Sequence, residues 1–185
     1  EIVKMKEKDL PFDRTKHTVY TKNAKKCVKK LLRRYYDEKT STELWEKIQL
    51  QYCEYLKDEP ALAGSKITVS IYDPILIFAW YTVIPDKPPI EDIQQDIYDC
   101  FMGSFDLLGK IFNLNRKPDN RLASRIFKKT SDIREEEIKQ FPGSFRMGGY
   151  YYDRENGVVR YSFTQCPNAE FAKRHQMENV LPVMC

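Results

Sequence analysis

Apolar side chains recur every three or four residues through most of the first 140 positions, a spacing that predicts amphipathic helices. We expect a first helix at about residues 20–36 and a second from Thr40 to a point before Pro60. Thr40 and Glu43 have the spacing of a capping box, which favours a helix start at Thr40. The apolar stripe of the second helix is Leu44, Trp45, Ile48, Tyr52, Tyr55 and Leu56.

Residues 74–83 are apolar nearly all round, so they predict a central, buried helix. Asp73 is its expected N-cap, and Pro74 is expected at the first helical position. Residues 67–72, just before it, are rich in β-branched side chains and favour a strand.

Two further helices are expected before the spacing of apolar residues changes from helical to alternating. Two acidic residues follow a Pro-Pro pair at positions 88 and 89 and suit a helix N-terminus, because they interact favourably with the helix dipole there. Residues 113–120 predict a polar loop, and residues 122–139 predict another helix. Its charge run at residues 134–139 is expected to face solvent.

From residue 145 the pattern changes to aromatic-rich alternation around Asn156-Gly157, which predicts a β-hairpin. A two-residue loop at this dipeptide sets the expected cross-strand pairs: Glu155 with Val158, Asp153 with Arg160, Tyr152 with Tyr161, Tyr151 with Ser162, and Tyr150 with Phe163. One face of the hairpin is then aromatic and suited to a core: Tyr150, Tyr152, Val159, Tyr161 and Phe163. The other face is smaller and mixed, and is expected to line a pocket: Met147, Gly149, Tyr151, Ser162, Thr164 and Cys166.

This order of elements predicts an α+β fold in a single domain, long enough to bury a sizeable core. Residues 1–15 are expected to form an extended arm, 16–142 a part with five to six helices, 143–166 the hairpin and 167–185 short C-terminal helices. A lone hairpin is marginally stable in water, so its strands are expected to pack on the helices or to pair with strands elsewhere, including those of a second copy.

Composition narrows the class of protein. Five scattered cysteines without a CxxC motif do not resemble a secreted disulfide framework, so we expect a cytoplasmic protein. The longest apolar run, at residues 67–84, is interrupted by Asp73 and Pro74, and no signal-peptide pattern opens the chain, so no membrane segment is expected.

The net charge of +4 is unevenly distributed, with nine Lys or Arg and no acid at residues 14–36. The basic residues alternate at helical spacing with an apolar face. We therefore interpret them as the solvated side of a packed helix and expect no nucleic-acid partner, since no nucleic-acid-binding motif accompanies the charge.

Cys166 is the main candidate for chemistry. It directly precedes Pro167, a favoured first residue of a helix, so Cys166 is expected as an N-cap, where the amides and the helix dipole lower the pKa of a thiol. The alternative is a small buried side chain in an aromatic neighbourhood. Cys166, His175 and Cys185 are zinc-type ligands, but their spacing matches no usual zinc pattern, so no metal is expected. Cys27, Cys53 and Cys100 lie on apolar stripes and are expected in the core.

The chain resembles the L-2-amino-thiazoline-4-carboxylic acid hydrolase family of bacterial proteins. The resemblance is carried by the apolar segment at 74–84, by YSFTQCPNAEF at 161–171 and by LPVMC at 181–185. Family members continue with an Asp after the second cysteine and with more strands, so the resemblance implies that further residues follow Cys185.

The resemblance implies an enzyme that adds water to the amidine carbon of a small thiazoline carboxylate and expels the ring thiolate, without a cofactor. The implied catalytic residues are Cys166 as nucleophile, with Glu170 or His175 relaying protons. The expected substrate-binding residues are Tyr151, Arg160, Ser162, Thr164 and Asn168. The alternative is a module of the same fold that binds a small ligand or a protein without turnover.

Overall fold

A computed structural model describes residue 10 and residues 20–59, 69–102, 117–153, 155–156 and 158–180. Five helices precede a two-stranded antiparallel sheet in this part of the chain, and one short helix follows it, so the predicted α+β fold is confirmed. The elements are α1 (Lys22–Tyr35), α2 (Glu38–Leu56), α3 (Val69–Val83), α4 (Ile90–Met102), α5 (Lys117–Gln140), β1 (Arg146–Asp153), β2 (Val158–Gln165) and α6 (Pro167–Arg174).

Helix α3 is the centre of the core. Every side chain from residue 71 to residue 80 is buried, and α1, α2 and α6 all contact this helix. The apolar faces of α1 and α2 pack towards it, as their spacing predicted. Among the described residues, no helix combines the length and the apolar character needed to cross a membrane.

The predicted starts of α2 and α3 are wrong. Helix α2 begins at Glu38 because Asp37 is its N-cap and accepts a hydrogen bond from the Thr40 amide at 2.9 Å. Helix α3 begins at Val69, which places Pro74 inside the helix, where it removes one backbone donor. Burial of Ile71 and Tyr72 in the core overrides the strand propensity of this segment.

Asp73 is not the N-cap of α3 as expected, but supports the start of α1. Its carboxylate accepts hydrogen bonds from the amide (2.8 Å) and the hydroxyl (2.6 Å) of Thr21, which is the N-cap of α1. The contact joins residues 52 positions apart and fixes the start of α1 against the middle of α3.

Helix α5 begins at Lys117, so the loop predicted through residue 120 is wrong over residues 117–120. Pro118 is the second residue of the helix, where its missing N–H costs no internal hydrogen bond. The charge run is not wholly solvated, because Glu137 is buried and the Arg134 guanidinium lies 4.9 Å from the centre of the Phe145 ring. Helix α5 packs against β1.

The hairpin forms, but its predicted register is wrong by two residues near the turn. Asp153 pairs with Val158 and Tyr151 pairs with Arg160, so four residues rather than two connect the strands. The Asp153 carboxylate accepts hydrogen bonds from the Glu155 amide (3.0 Å) and the Asn156 amide (3.1 Å), which stabilises this longer turn.

An irregularity in β1 also changes which residues share a face. Met147 pairs with Phe163 and Gly149 pairs with Ser162, which places Gly148 in a bulge. A Cβ atom at position 148 would lie only 2.5 Å from a methyl carbon of Thr164, so any larger residue there would force the Thr164 side chain to move. Met147 therefore lies with the aromatic face, not with the mixed face as predicted.

Candidate functional site

Helix α6 is held firmly against the core. The Phe171 ring lies 5.1 Å from the rings of both Tyr55 in α2 and Phe78 in α3. Phe171 and Ala172 are fully buried, and the Met177 amide closes the end of the helix on the Ala172 carbonyl at 2.7 Å. The side chains at the start of α6 therefore have a defined position relative to α2 and α3.

Cys166 is the N-cap residue of α6, as predicted. Its backbone is extended and its carbonyl accepts a hydrogen bond from the Glu170 amide at 3.0 Å, while its thiol makes no capping hydrogen bond to the helix. The side chain is partly buried and packs against the core. The first-turn amides of a helix have no acceptor within the helix, so their dipoles favour a thiolate at this position.

The helical periodicity of α6 shows which candidate catalytic residues lie on the same side of the helix. Cys166, Glu170 and Arg174 follow one another at intervals of four residues and share one side of the helix. His175 is nine residues from Cys166, which is about 13 Å along the axis and half a turn around it. The structure therefore groups Glu170 with Cys166 and places His175 at the opposite end and on the opposite side.

His175 lies in an aromatic environment at the C-cap of α6. Its ring is 4.5 Å from that of Tyr55 and 4.4 Å from that of Phe171. Burial lowers the pKa of His175, and this effect outweighs the opposite influence of the Glu59 and Asp58 carboxylates. The contacts are those of a side chain that anchors the end of the helix.

A small cavity of about 20 Å³ opens beside the start of α6. Pro167, Glu170 and Arg174 line one side of it, and Glu59 and Tyr72 line the other. It has room for one water-sized group. The cavity is therefore bordered by two carboxylates, of Glu59 and Glu170, and by the Arg174 guanidinium. Pro167, the residue after Cys166, also lines it.

Glu59 and Arg174 form an ion pair at this cavity. The Glu59 side chain is only 4% exposed, whereas the Arg174 side chain is 47% exposed. A buried carboxylate is stable only with a close partner, so the pair fixes the direction of the guanidinium. Arginine has five N–H donors, and Arg174 donates from one nitrogen to Glu59, so its guanidinium retains donors for a ligand.

The expected substrate-binding residues of the hairpin do not converge on this cavity. Tyr151 is 60% exposed and pairs with Arg160, and Ser162 and Thr164 are exposed on β2. None of these four residues lines the cavity beside α6. Asn168 is buried on the side of α6 that packs into the core.

The remaining cysteines separate into two groups. Cys27 and Cys53 are buried, as predicted for the core. The Cys100 side chain and Cys185 lie outside the described residues. Within the described ranges, no three His, Cys, Asp or Glu side chains form a group able to hold a metal ion.

Glu59 and Arg174 were not identified from the sequence. Arg174 has a recognisable signal, because it lies eight residues after Cys166 and so repeats the helical period of Glu170. Glu59 has none, since 115 residues separate it from its partner.

A second, larger concavity lies elsewhere on the surface. It is an open groove of about 540 Å³ between the later parts of α2 and α3, and its volume is typical of small-molecule sites. Its lining is mixed and includes two lysines: Lys47, Leu50, Gln51, Cys53, Glu54, Lys57, Thr82 and Val83.

Comparisons of the chain with known protein families, with curated proteins and with solved structures gave no match.

Proposed function

We propose that the chain is a hydrolase that opens a small cyclic amidine carboxylate, such as a 2-amino-thiazoline-4-carboxylate, with Cys166 as the nucleophile. One observation carries the proposal. Cys166 is the partly buried N-cap residue of α6, so its side chain lies at the helix end where the dipole and the first-turn amides favour a thiolate.

The proposed reaction has two balanced steps. The Cys166 thiolate adds to the amidine carbon, the ring carbon–sulfur bond breaks, and the ring sulfur leaves as a thiolate that takes up a proton. Water then adds to the same carbon, which gains a carbonyl oxygen, and the Cys166 thiolate leaves. The net change is addition of one water molecule, which gives an N-carbamoyl amino acid with a thiol.

We assign the proton transfers to Glu170 rather than to His175. Glu170 lies one turn from Cys166 on the same side of α6, whereas His175 lies at the other end of the helix. A carboxylate within one turn is close enough to exchange protons with the leaving group directly or through one water molecule.

The location and assembly of the protein belong to the same proposal. A reducing, cytoplasmic compartment fits a thiol nucleophile, and none of Cys27, Cys53 and Cys166 is in a disulfide. Within the described residues β1 and β2 pair only with each other, and pairing of their outer edges with a second copy of the chain would form a homo-oligomer.

The test is a ring-opening assay that measures thiol release from 2-amino-thiazoline-4-carboxylate. We expect Cys166→Ser to abolish turnover, because serine is a far weaker nucleophile at neutral pH, while Cys53→Ala retains it. Equal turnover by the wild type and Cys166→Ser would remove Cys166 from the chemistry.

The second candidate is a binding module without turnover, and the groove between α2 and α3 favours it. In that case a ring compound would raise the unfolding temperature of the wild type without being opened. Leu50→Glu in the groove would abolish that increase, whereas Cys166→Ser would not.

A further inference from the structure

One side of α6 carries a thiol, a carboxylate and a guanidinium in sequence. Cys166, Glu170 and Arg174 are spaced by one helical turn each, which is about 6 Å along the axis per step. Glu170 and Arg174 both line the cavity beside Pro167. Along this side of α6, a nucleophile is therefore followed by a negative charge and then by a positive charge.

The proposed substrates carry groups that complement these three side chains in the same order. In a cyclic amidine carboxylate the electrophilic carbon lies between two nitrogens that share a positive charge when protonated, and the carboxylate lies further along the ring. We propose that Glu170 and Arg174 are a two-point binding site for such a zwitterionic ring. Glu170 accepts hydrogen bonds from the amidinium and Arg174 donates to the carboxylate. This inference rests on the proposed function.

Glu59 is the positioning residue of this site. Its buried carboxylate binds one nitrogen of Arg174 and holds the guanidinium at the cavity, while the exposure of Arg174 leaves donors facing solvent. A planar guanidinium with one fixed nitrogen is well suited to pair with a second carboxylate.

The dimensions agree with a small ring. Arg174 is about 12 Å beyond Cys166 along the axis, a span that a long arginine side chain and a bound small ring would together bridge. The cavity admits one water-sized group, so a substituent of the ring enters it while the ring itself lies outside.

The experiment compares two ligands on the full chain: 2-amino-thiazoline-4-carboxylate and the same ring without the carboxylate. Binding is measured as protection of Cys166 against alkylation by iodoacetamide, and turnover as thiol release. Arg174→Lys keeps a charge opposite Glu59 but loses the planar pair of donors. We expect it to weaken binding and raise KM for the carboxylate ring by about 10- to 100-fold with kcat nearly unchanged.

The same variant is expected to leave the ring without the carboxylate unaffected, whereas Glu170→Gln weakens binding of both rings. Lys173→Gln, an exposed basic neighbour outside the cavity, is the matched control and is expected to bind both rings like the wild type. Glu59→Gln is expected to raise KM for the carboxylate ring only, because Arg174 loses its fixed partner.

The outcomes separate this inference from the proposed function. Binding that depends on Arg174 and on the carboxylate, without any ring opening, supports the two-point site and contradicts the hydrolase. Ring opening with equal effects of Arg174→Lys on both rings, or with none, overturns the two-point site and leaves the hydrolase in place. A wild type that binds neither ring overturns the two-point site as well.

Discussion

Helix α3 and the hairpin strands differ both in apolar content and in burial: 11 of the 15 residues of α3 are apolar, against 8 of the 16 residues of β1 and β2. In α3 every side chain from residue 71 to residue 80 is buried. On the hairpin Tyr151, Val158 and Phe163 are 60%, 39% and 46% exposed. In the described part of the chain, α1, α2 and α6 contact α3, whereas the sheet consists of β1 and β2 and packs on α5 through β1. Both the apolar content and the packing therefore distinguish the region that forms the core.

The comparison also locates the candidate site. Cys166 directly follows β2 and directly precedes α6, so it lies where the exposed hairpin meets a helix fixed in the core. The residues grouped with it, Glu170 and Arg174, are on the fixed helix. Precise chemistry requires rigid support, which the core provides and the exposed sheet does not.

The strongest test of this comparison uses two phenylalanines. Phe171→Ala in α6 is expected to lower the free energy of unfolding by about 3–5 kcal/mol, because Phe171 is fully buried among aromatic rings. Phe163→Ala on β2 is expected to cost less than about 1 kcal/mol, because nearly half of that side chain is already exposed. Urea unfolding measures both values, and equal losses would show that the hairpin is part of the core.

A smaller effect is expected at the start of α1. Thr21→Val removes both the N-cap oxygen and the hydroxyl donor to the buried Asp73 carboxylate, which is expected to cost about 1–3 kcal/mol. Thr42→Val is the matched control, because the Thr42 hydroxyl is exposed and bonds only within α2. Similar urea midpoints for the two variants would contradict the role of Asp73 as the anchor of α1.

The same two regions explain what the sequence predicts well. Stripes such as Leu44, Ile48 and Tyr52 are buried as expected, because periodicity reports directly which side of a helix faces the core. The two helix starts were wrong for different reasons. The local cap Asp37 sets the start of α2. Asp73 does not cap α3, because its carboxylate binds Thr21, 52 residues away. The hairpin register was wrong because the Asp153 side chain favours a longer turn.

The candidate site divides in the same way. The position of Cys166 at a helix start followed from Pro167 alone, because the proline signal is local. Its neighbours depended on which element packs beside α6, and Glu59 is brought there by a contact across 115 residues. The sequence therefore predicts that Cys166 lies at a helix start, but it does not predict which side chains surround it.

The next effect concerns pH. Burial lowers the pKa of His175 below its ordinary 6.5, so the unfolded chain takes up a proton at a higher pH than the folded chain does. The stability contributed by neutral His175 is present above pH 6.5 and is lost as the pH falls towards the folded pKa. We expect the free energy of unfolding to fall over this window in the wild type and to fall less in His175→Gln. Identical slopes would contradict the buried environment of His175.

The smallest effect is expected at the hairpin turn. Asp153→Ala removes the acceptor for the Glu155 and Asn156 amides, so hydrogen exchange in β1 and β2 is expected to accelerate. The unfolding midpoint of the whole protein should stay unchanged, because the turn is exposed. A shift in that midpoint would mean that the hairpin and the helical core unfold together.

The most direct test of the central claim is the pH dependence of alkylation at Cys166. Mass spectrometry of the folded wild type gives the rate of iodoacetamide addition to Cys166 at each pH, with buried Cys27 and Cys53 as internal references. A thiolate stabilised at the N-terminus of α6 predicts a midpoint clearly below the value of about 8.5 that is typical of an ordinary cysteine. A midpoint at or above that value would contradict a reactive Cys166 and with it the proposed nucleophile.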